Sequence, residues 1–330
     1  MTTFPAWVIR EGERTNVAAL EDIELSALDD LPVTLRVGYS GLNYKDALAL
    51  GGRPGVIRRF PLIAGIDLVG EVVESRDERW QAGDVVTLDG AGLGEDRHGG
   101  LAGMARVGGD DLIAVPDAFT PAQAAAIGTA GFTAALSALA LERHGLRPGD
   151  GPVLVTGASG GVGSIAISLL SRAGHEVVAA TGRVEQMRER LTELGASDLV
   201  DRADLEDKGR PLGRQRWAAV VDGAGGQILA SALSTLRADG AAAAYGLAAS
   251  TDLPTSVLPF ILRGVSLLGI NSVHVTPERR RQAWELLARD LDPAVLDSLT
   301  RTVDLADARD AAAELLAGRG TGRTVVRIPS

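Results

Sequence analysis

Cysteine is absent from all 330 residues. That excludes disulfides, a thiol nucleophile, iron–sulfur ligation and any zinc site built with thiolates. Histidine is nearly as scarce: His98, His144, His175 and His274 are dispersed without ligand spacing. No metal site is expected, and magnesium held by carboxylates alone is the one form left open. Aromatic residues make up only 4% of the chain, and lysine occurs only at positions 45 and 208. Positive charge is outweighed, with 33 basic against 43 acidic residues and a formal charge of −10. Without a basic stripe to follow a phosphate backbone, nucleic-acid binding is not expected. The first residues, Met1 to Glu11, lack the basic-then-apolar order of a secretory leader, so a cytoplasmic location is expected. One uncharged run, Ala118 to Leu141, is long enough to raise the question of a membrane span. Its Pro121, Gln123, threonines and glycines read instead as a buried helix pair.

Hydrophobic residues make up 45% of the sequence, enough for two cores in a chain of this length. The first 115 or so residues carry short strand patterns at Val33 to Val37, Leu68 to Val73, Asp84 to Leu88 and Asp111 to Val115, punctuated by glycine, proline and aspartate. They predict a β-rich domain, a partly open barrel. From about 121 the texture changes to helices alternating with continuous apolar strands, the signature of a parallel sheet covered on both faces. Strands are expected at 153–156, 177–180, 199–200, 217–222, 241–245 and 265–273. Helices are expected from the glycine turn through Ala173, at 185–194, at about 229–236 and from Pro277 through Ala288. The fold class is therefore α/β, a doubly wound parallel sheet of the Rossmann type beside the β-rich domain. The boundaries are expected at 1–125 with 275–330 for the first domain and 126–274 for the second, the tail returning to the first.

The most informative stretch is Val153 to Gly163, an apolar strand opening into a glycine-rich turn and then an apolar helix. Gly157, Gly160, Gly161 and Gly163 let the backbone approach a pyrophosphate, whose charge meets the free N–H groups at the helix start. Ser159, Gly160, Gly161 and Val162 are the candidate contacts. The second strand then decides the nucleotide. An acid at its end would accept the ribose hydroxyls of NADH, but this strand ends in Thr181, Gly182 and Arg183. A hydroxyl, a glycine and a planar guanidinium suit a 2′-phosphate, so NADPH is the expected cofactor. Arg202, after the third strand, is a second clamp or simply a solvated arginine. The turn also fits short-chain dehydrogenases, yet those need a Tyr-x-x-x-Lys pair downstream. The only later tyrosine is Tyr245, followed four places on by Ala249.

In the first domain, Asn43 to Asp46 is the one cluster with donors, an acid and a base within four residues. Tyr44, following a strand, is a candidate to present its phenol beside a nicotinamide; a half-buried tyrosine packing at a strand end is the alternative. Lys45 is expected to pair with Asp46 or Asp67, and Asp67 to be a buried, paired acid. Thr129 and Gly131, near the expected domain junction, are candidates to face the nicotinamide, with close helix packing as the alternative. Gly246 and Leu247 follow a strand end and are candidates for its ribose. The last strand would leave an unprotected sheet edge, which seeks a partner.

The order of a β-rich domain, a nucleotide domain and a return to the first resembles the medium-chain dehydrogenase/reductase superfamily. Its zinc alcohol dehydrogenases carry cysteine ligands and a Gly-His-Glu motif, where this chain has Gly65-Ile66-Asp67. It resembles the zinc-free, quinone oxidoreductase-like branch. The segments 40–47, 59–67, 127–134, 156–163 and 258–265, with Thr181 to Arg183, together resemble the NADPH-dependent acrylyl-CoA reductase family nearly end to end. The resemblance implies a GroES-like first domain and hydride transfer to the double bond of acrylyl-CoA or a similar short 2-enoyl-CoA. It also implies Tyr44 and Asn43 as catalytic residues, Tyr44, Ile261 and Ser272 as cofactor contacts, and a homodimer paired through the sheet edge. Arg53, Arg58 and Arg59 are candidates for the coenzyme A phosphates, or solvated surface arginines. The alternatives are a quinone or enone reductase with the same hydride geometry, and an NADPH-binding protein without catalysis.

Overall fold

Alternation along the first strand already sorts its side chains between two cores. In the computed structural model, which describes residues 3–329, β1 (Thr3–Arg10) turns Phe4, Ala6 and Val8 into a small cluster with Leu28 and Ile63. Trp7 and Ile9, on its opposite face, join the main core of the same unit. β1 pairs antiparallel with β2 (Val17–Glu24). Next comes β3 (Val33–Leu42), whose Val33, Leu35 and Val37 alternate into the main core. The chain then turns at once into a short helix, α1 (Tyr44–Leu50), which the strand-and-turn reading of this region did not anticipate. β4 (Leu62–Ile63), β5 (Asp67–Ser75), β6 (Val85–Asp89), β7 (Met104–Val107) and β8 (Ile113–Ala114) complete this stretch.

The uncharged run forms α2 (Pro121–His144), interrupted at Gly128, whose φ of 42° and ψ of −156° are not helical. By length and composition it could cross a membrane, yet 83% of its most apolar window is buried inside the protein. The chain divides into two compact units, and the division falls within this helix. The second unit is Thr133–Asn271 with Arg289–Leu291; the first takes the described parts of Met1–Phe132, Ser272–Ala288 and Asp292–Ser330.

In the second unit, strands and helices alternate: β9 (Val153–Val155), α3 (Gly161–Arg172), β10 (Val177–Thr181), α4 (Val184–Glu193), β11 (Asp198–Asp201), α5 (Ala203–Glu206), β12 (Trp217–Asp222), α6 (Gly226–Ser234), β13 (Leu236–Ala244), α7 (Leu258–Arg263) and β14 (Ser266–Gly269). All six strands are parallel, in the order β11-β10-β9-β12-β13-β14. That is the doubly wound order in which nucleotides bind where the winding reverses, here between β9 and β12. Two expected boundaries move. Leu236 opens β13 rather than ending the preceding helix, and the last strand covers only 266–269 because its partner ends at Ala244, paired with Gly269.

The chain returns with α8 (Pro277–Asp290), started as expected by Thr276, whose hydroxyl accepts the Arg279 N–H at 3.4 Å. α9 (Pro293–Leu299), β15 (Thr300–Asp304), α10 (Ala308–Leu316) and β16 (Arg323–Arg327) follow. β16 pairs antiparallel with β3, Val325 opposite Gly41. The resulting seven-stranded sheet runs β15-β16-β3-β5-β6-β8, with β7 also on β3, beside the three-stranded sheet β2-β1-β4.

Candidate active site

In the first unit the chemistry gathers at the start of α1. Asn43 is its N-cap, still extended at φ −114° and ψ 167°, and its N–H donates to Asp46 Oδ2 at 2.8 Å, a capping-box contact. Tyr44, the first helical residue, is 54% exposed. Asp46 points inward, where Oδ1 accepts the Ile66 N–H at 2.9 Å. Burial, then the neighbouring Asp67 charge, pushes its carboxyl up to about 7. Lys45 does not pair with Asp46 or Asp67: its Nζ reaches Glu95 at 2.7 Å. Both aspartates have their oxygens engaged by other donors, whereas Glu95, itself buried, meets the half-exposed lysine. Arg58 shares Glu95 at 3.6 Å, and Arg59 pairs with Asp29, so two of the three candidate phosphate arginines already have carboxylate partners.

Asp67 is buried and collects donors from three directions. Its carboxylate accepts the Gly41 N–H at 2.5 Å, Asn43 Nδ2 at 2.7 Å and the Thr129 N–H at 3.0 Å. Burial pushes this carboxyl up, opposed by the charge of Arg323 and by these donors. Arg323, 3% exposed, donates from Nε to the Ala126 carbonyl at 2.6 Å and from Nη1 to Asn43 Oδ1 at 3.0 Å. Asn43 Nδ2 also donates to the Gly41 carbonyl at 3.2 Å. Both ends of the Asn43 amide are thus engaged within the protein. Thr129 faces Asp67 through its backbone, and its hydroxyl reaches the Ile66 carbonyl at 3.4 Å. The Ser272 carbonyl packs against Gly90, where a Cβ would come within 2.3 Å of it, and the Gly90 N–H donates to the same Ile66 carbonyl at 2.9 Å.

In the second unit the residues around the glycine turn come together. A Cβ on Gly163 would meet the Gly157 carbonyl at 2.4 Å and Ala158 Cα at 2.8 Å, so only glycine lets α3 start this close to the loop. The N-cap of α3 is Gly160, without a side-chain cap, leaving the first-turn N–H groups of Gly161 and Val162 for an anion. At the end of β10, Thr181 Oγ1 accepts the Arg183 N–H at 3.2 Å, and Arg183 Nη2 reaches Ser159 Oγ at 3.2 Å. A Cβ on Gly182 would stand 3.3 Å from the Arg202 guanidinium, which is held by Glu206 at 2.8 Å. Two guanidinium groups and two hydroxyls thus line one place, a donor set that fits a 2′-phosphate.

Two residues to which the sequence reading gave no place in the site close this region. Asp222, at the end of β12, accepts Thr156 Oγ1 at 2.6 Å and the Gly225 N–H at 2.8 Å, tying β12 to the end of β9. Its place at the end of a wholly apolar strand was the available signal. Tyr245 lays its ring over Gly223, where a Cβ would come within 2.4 Å of its hydroxyl. Burial pushes that phenol above its usual range. Leu247 follows on the same loop, exposed, with the Ala248 N–H on the Gly223 carbonyl. Ile261 lies on α7, 68% exposed, and that helix is tied through Arg263 to the carbonyls of Ser234, Leu236 and Gly213.

Comparison with known proteins follows the same division. The alcohol dehydrogenase GroES-like domain model matches residues 29–117, and the zinc-binding dehydrogenase model matches residues 161–289. Acrylyl-CoA reductase AcuI of Ruegeria pomeroyi is 44% identical over 98% of this chain and 99% of its own length. The putative quinone oxidoreductase YhfP of Bacillus subtilis is 44% identical over 93% of this chain and 94% of its own. Among solved structures, Escherichia coli K-12 YhdH with bound NADPH superposes with a TM-score of 0.95 at 44% identity, covering 98% of this chain and all of that one. Over nearly its whole length, therefore, this chain belongs to the acrylyl-CoA reductase family of the medium-chain dehydrogenase/reductase superfamily.

Proposed function

We propose that this protein uses NADPH to reduce the carbon–carbon double bond of acrylyl-CoA, or a similar short 2-enoyl-CoA, to the saturated thioester. The observation that carries the reading is the cluster of Arg183, Ser159, Thr181 and Arg202 at the end of β10, with no acid in the position that favours NADH. The name of the R. pomeroyi relative supports the substrate. When bound, NADPH supplies the hydride that adds to the β-carbon, and a proton completes the α-carbon.

The chain's own residues do the rest. The glycine turn and the uncapped start of α3 receive the pyrophosphate, while Arg183 and Arg202 hold the 2′-phosphate. Leu247, Thr129, Ser272 and Ile261 are proposed as further cofactor contacts, Ile261 on the family resemblance alone. Tyr44, with its exposed phenol, is proposed to donate a hydrogen bond to the thioester oxygen as negative charge develops there. No zinc is required, because conjugation already makes the β-carbon electrophilic. A homodimer through the β14 edge and a cytoplasmic setting belong to the same proposal.

NADPH consumption with acrylyl-CoA, crotonyl-CoA and a quinone, in the presence of a chelator, tests it. Turnover of acrylyl-CoA is expected, falling about 100-fold in Tyr44→Phe if its hydroxyl stabilises the developing charge. Turnover of the quinone alone would favour the second reading, a quinone reductase, which the name of the B. subtilis relative supports. Tight NADPH binding with no turnover of any acceptor would leave a cofactor-binding protein without catalysis.

A further inference from the structure

Tyr44 is the exposed group of the first unit on which the proposed reaction depends, yet among the described residues no hydrogen bond holds its hydroxyl. The backbone that carries it passes from extended to helical at Asn43 and Tyr44. We propose that Arg323 and Asp67 act as positioning residues for Tyr44, clamping the Asn43 side chain from both ends and so fixing the first turn of α1.

The clamp is specific in its geometry. Asn43 offers its oxygen to Arg323 Nη1 at 3.0 Å and its nitrogen to Asp67 Oδ2 at 2.7 Å. Asp67 is fixed in turn by the Gly41 and Thr129 N–H groups, and Arg323 by the Ala126 carbonyl. Strands β3, β5 and β16 and the first part of α2 thus all bear on one residue of the α1 cap. Two glycines make room for the ions. A Cβ on Gly41 would stand 2.5 Å from Arg323 Nη2 and 3.0 Å from Asp67 Oδ1; one on Gly128 would stand 2.6 Å from Asp67 Oδ2 and 3.0 Å from Arg323 Nη2. Buried charges cost desolvation, and well-packed apolar side chains often give equal or greater stability. What apolar side chains do not supply is a directional grip on an amide, and here that grip falls on the residue before Tyr44.

This inference rests on the functional reading of Tyr44, and its test separates the two. The chain has only three tyrosines, Tyr39, Tyr44 and Tyr245, so ring-labelled protein gives a small set of NMR signals, assigned with Tyr44→Phe. Two variants are compared: Asn43→Ala, which removes the link, and Arg323→Lys, which keeps a positive charge beside Asp67 but loses the fork. In both, the Tyr44 signal is expected to shift or broaden while that of Tyr245 stays. Turnover of acrylyl-CoA should fall by up to about 100-fold, the scale of a small misplacement, with NADPH affinity unchanged. Arg323→Lys should cost nothing further once Tyr44 is already phenylalanine. A Tyr44 signal that stays put in folded Arg323→Lys protein, or a full additional loss in the double variant, would overturn the proposal. An unaltered chain that leaves acrylyl-CoA untouched overturns the functional reading instead, and the ring signals still decide the positioning.

Discussion

Arg183 reaches back across the glycine turn to Ser159, a position that supports the 2′-phosphate contact proposed for it. A hydrogen bond to a charged group is worth about 1.5–3 kcal/mol, so Arg183→Ala should weaken NADPH binding by about tenfold to about 150-fold. NADH affinity should change little. Fluorescence titration with both nucleotides checks this, and equal losses for the two would refute the assignment. Arg183 was legible because its meaning depends on neighbours in sequence: an apolar strand, a hydroxyl, a glycine and then a guanidinium. Arg323 was not. It is one arginine among many, opening an ordinary apolar strand, and its partner Asn43 lies 280 residues away. Asp67 falls between these cases. It was expected to be buried and paired, but the cation expected beside it or Asp46 was Lys45, and Arg323 stands there instead.

At the scale of elements, the alternation of apolar strand and helix in the second unit could be read because each β–α pair repeats one pattern with glycine or aspartate at its turns. Helix α1 escaped because it has only seven residues, too few for a 3.6-residue period to emerge. Its capping pair, Asn43 and Asp46, was in plain view but was read as chemistry. The interruption of α2 at Gly128 is only partly a local effect. Glycine permits the left-handed φ, while the space it vacates is needed by Asp67 and Arg323, which no local pattern reveals. Strand β14 is an edge of the six-stranded sheet, and the neighbouring α7 exposes Val257 at its N-cap, then Ile261 and Leu262, the last 63% accessible. An unpaired edge beside exposed apolar side chains is a surface suited to a second copy of the chain. Leu262→Asp should then shift a dimer to monomer in sedimentation velocity; a monomeric unaltered protein would dispose of the proposed pairing.

For the molecule as a whole, the buried acids of the first unit shape stability against pH. Burial is the chief cause that pushes Asp46 and Asp89 up to about 7. Below about pH 4 such a carboxyl is protonated in both folded and unfolded chains. Between about 4 and about 7 the unfolded chain releases a proton that the folded chain retains, so this contribution to stability falls as pH rises, and above about 7 the loss is complete. Asp89 is the cleaner probe: Oδ2 accepts Trp284 Nε1 at 3.0 Å, while among the described residues no hydrogen bond is made to Oδ1, and burial is the largest cause of its raised pKa. Asp89→Asn keeps the first contact and removes the titration. Urea unfolding between pH 4 and pH 8 should show a shallower decline for the variant than for the unaltered chain. Parallel curves would mean that Asp89 is ionised throughout.

The first unit is assembled from three separated stretches, and β16, which carries Arg323, is the last strand of the described chain. A ribosome makes Asn43 280 residues before the arginine that grips it. At about 5–20 residues per second that interval is about a quarter of a minute to about a minute. The nearly continuous second unit emerges in full during the wait. A nascent or prematurely terminated chain can therefore own the nucleotide fold before the arginine proposed to support Tyr44 is made, so that on this proposal competence for hydride transfer comes after competence to bind the nucleotide.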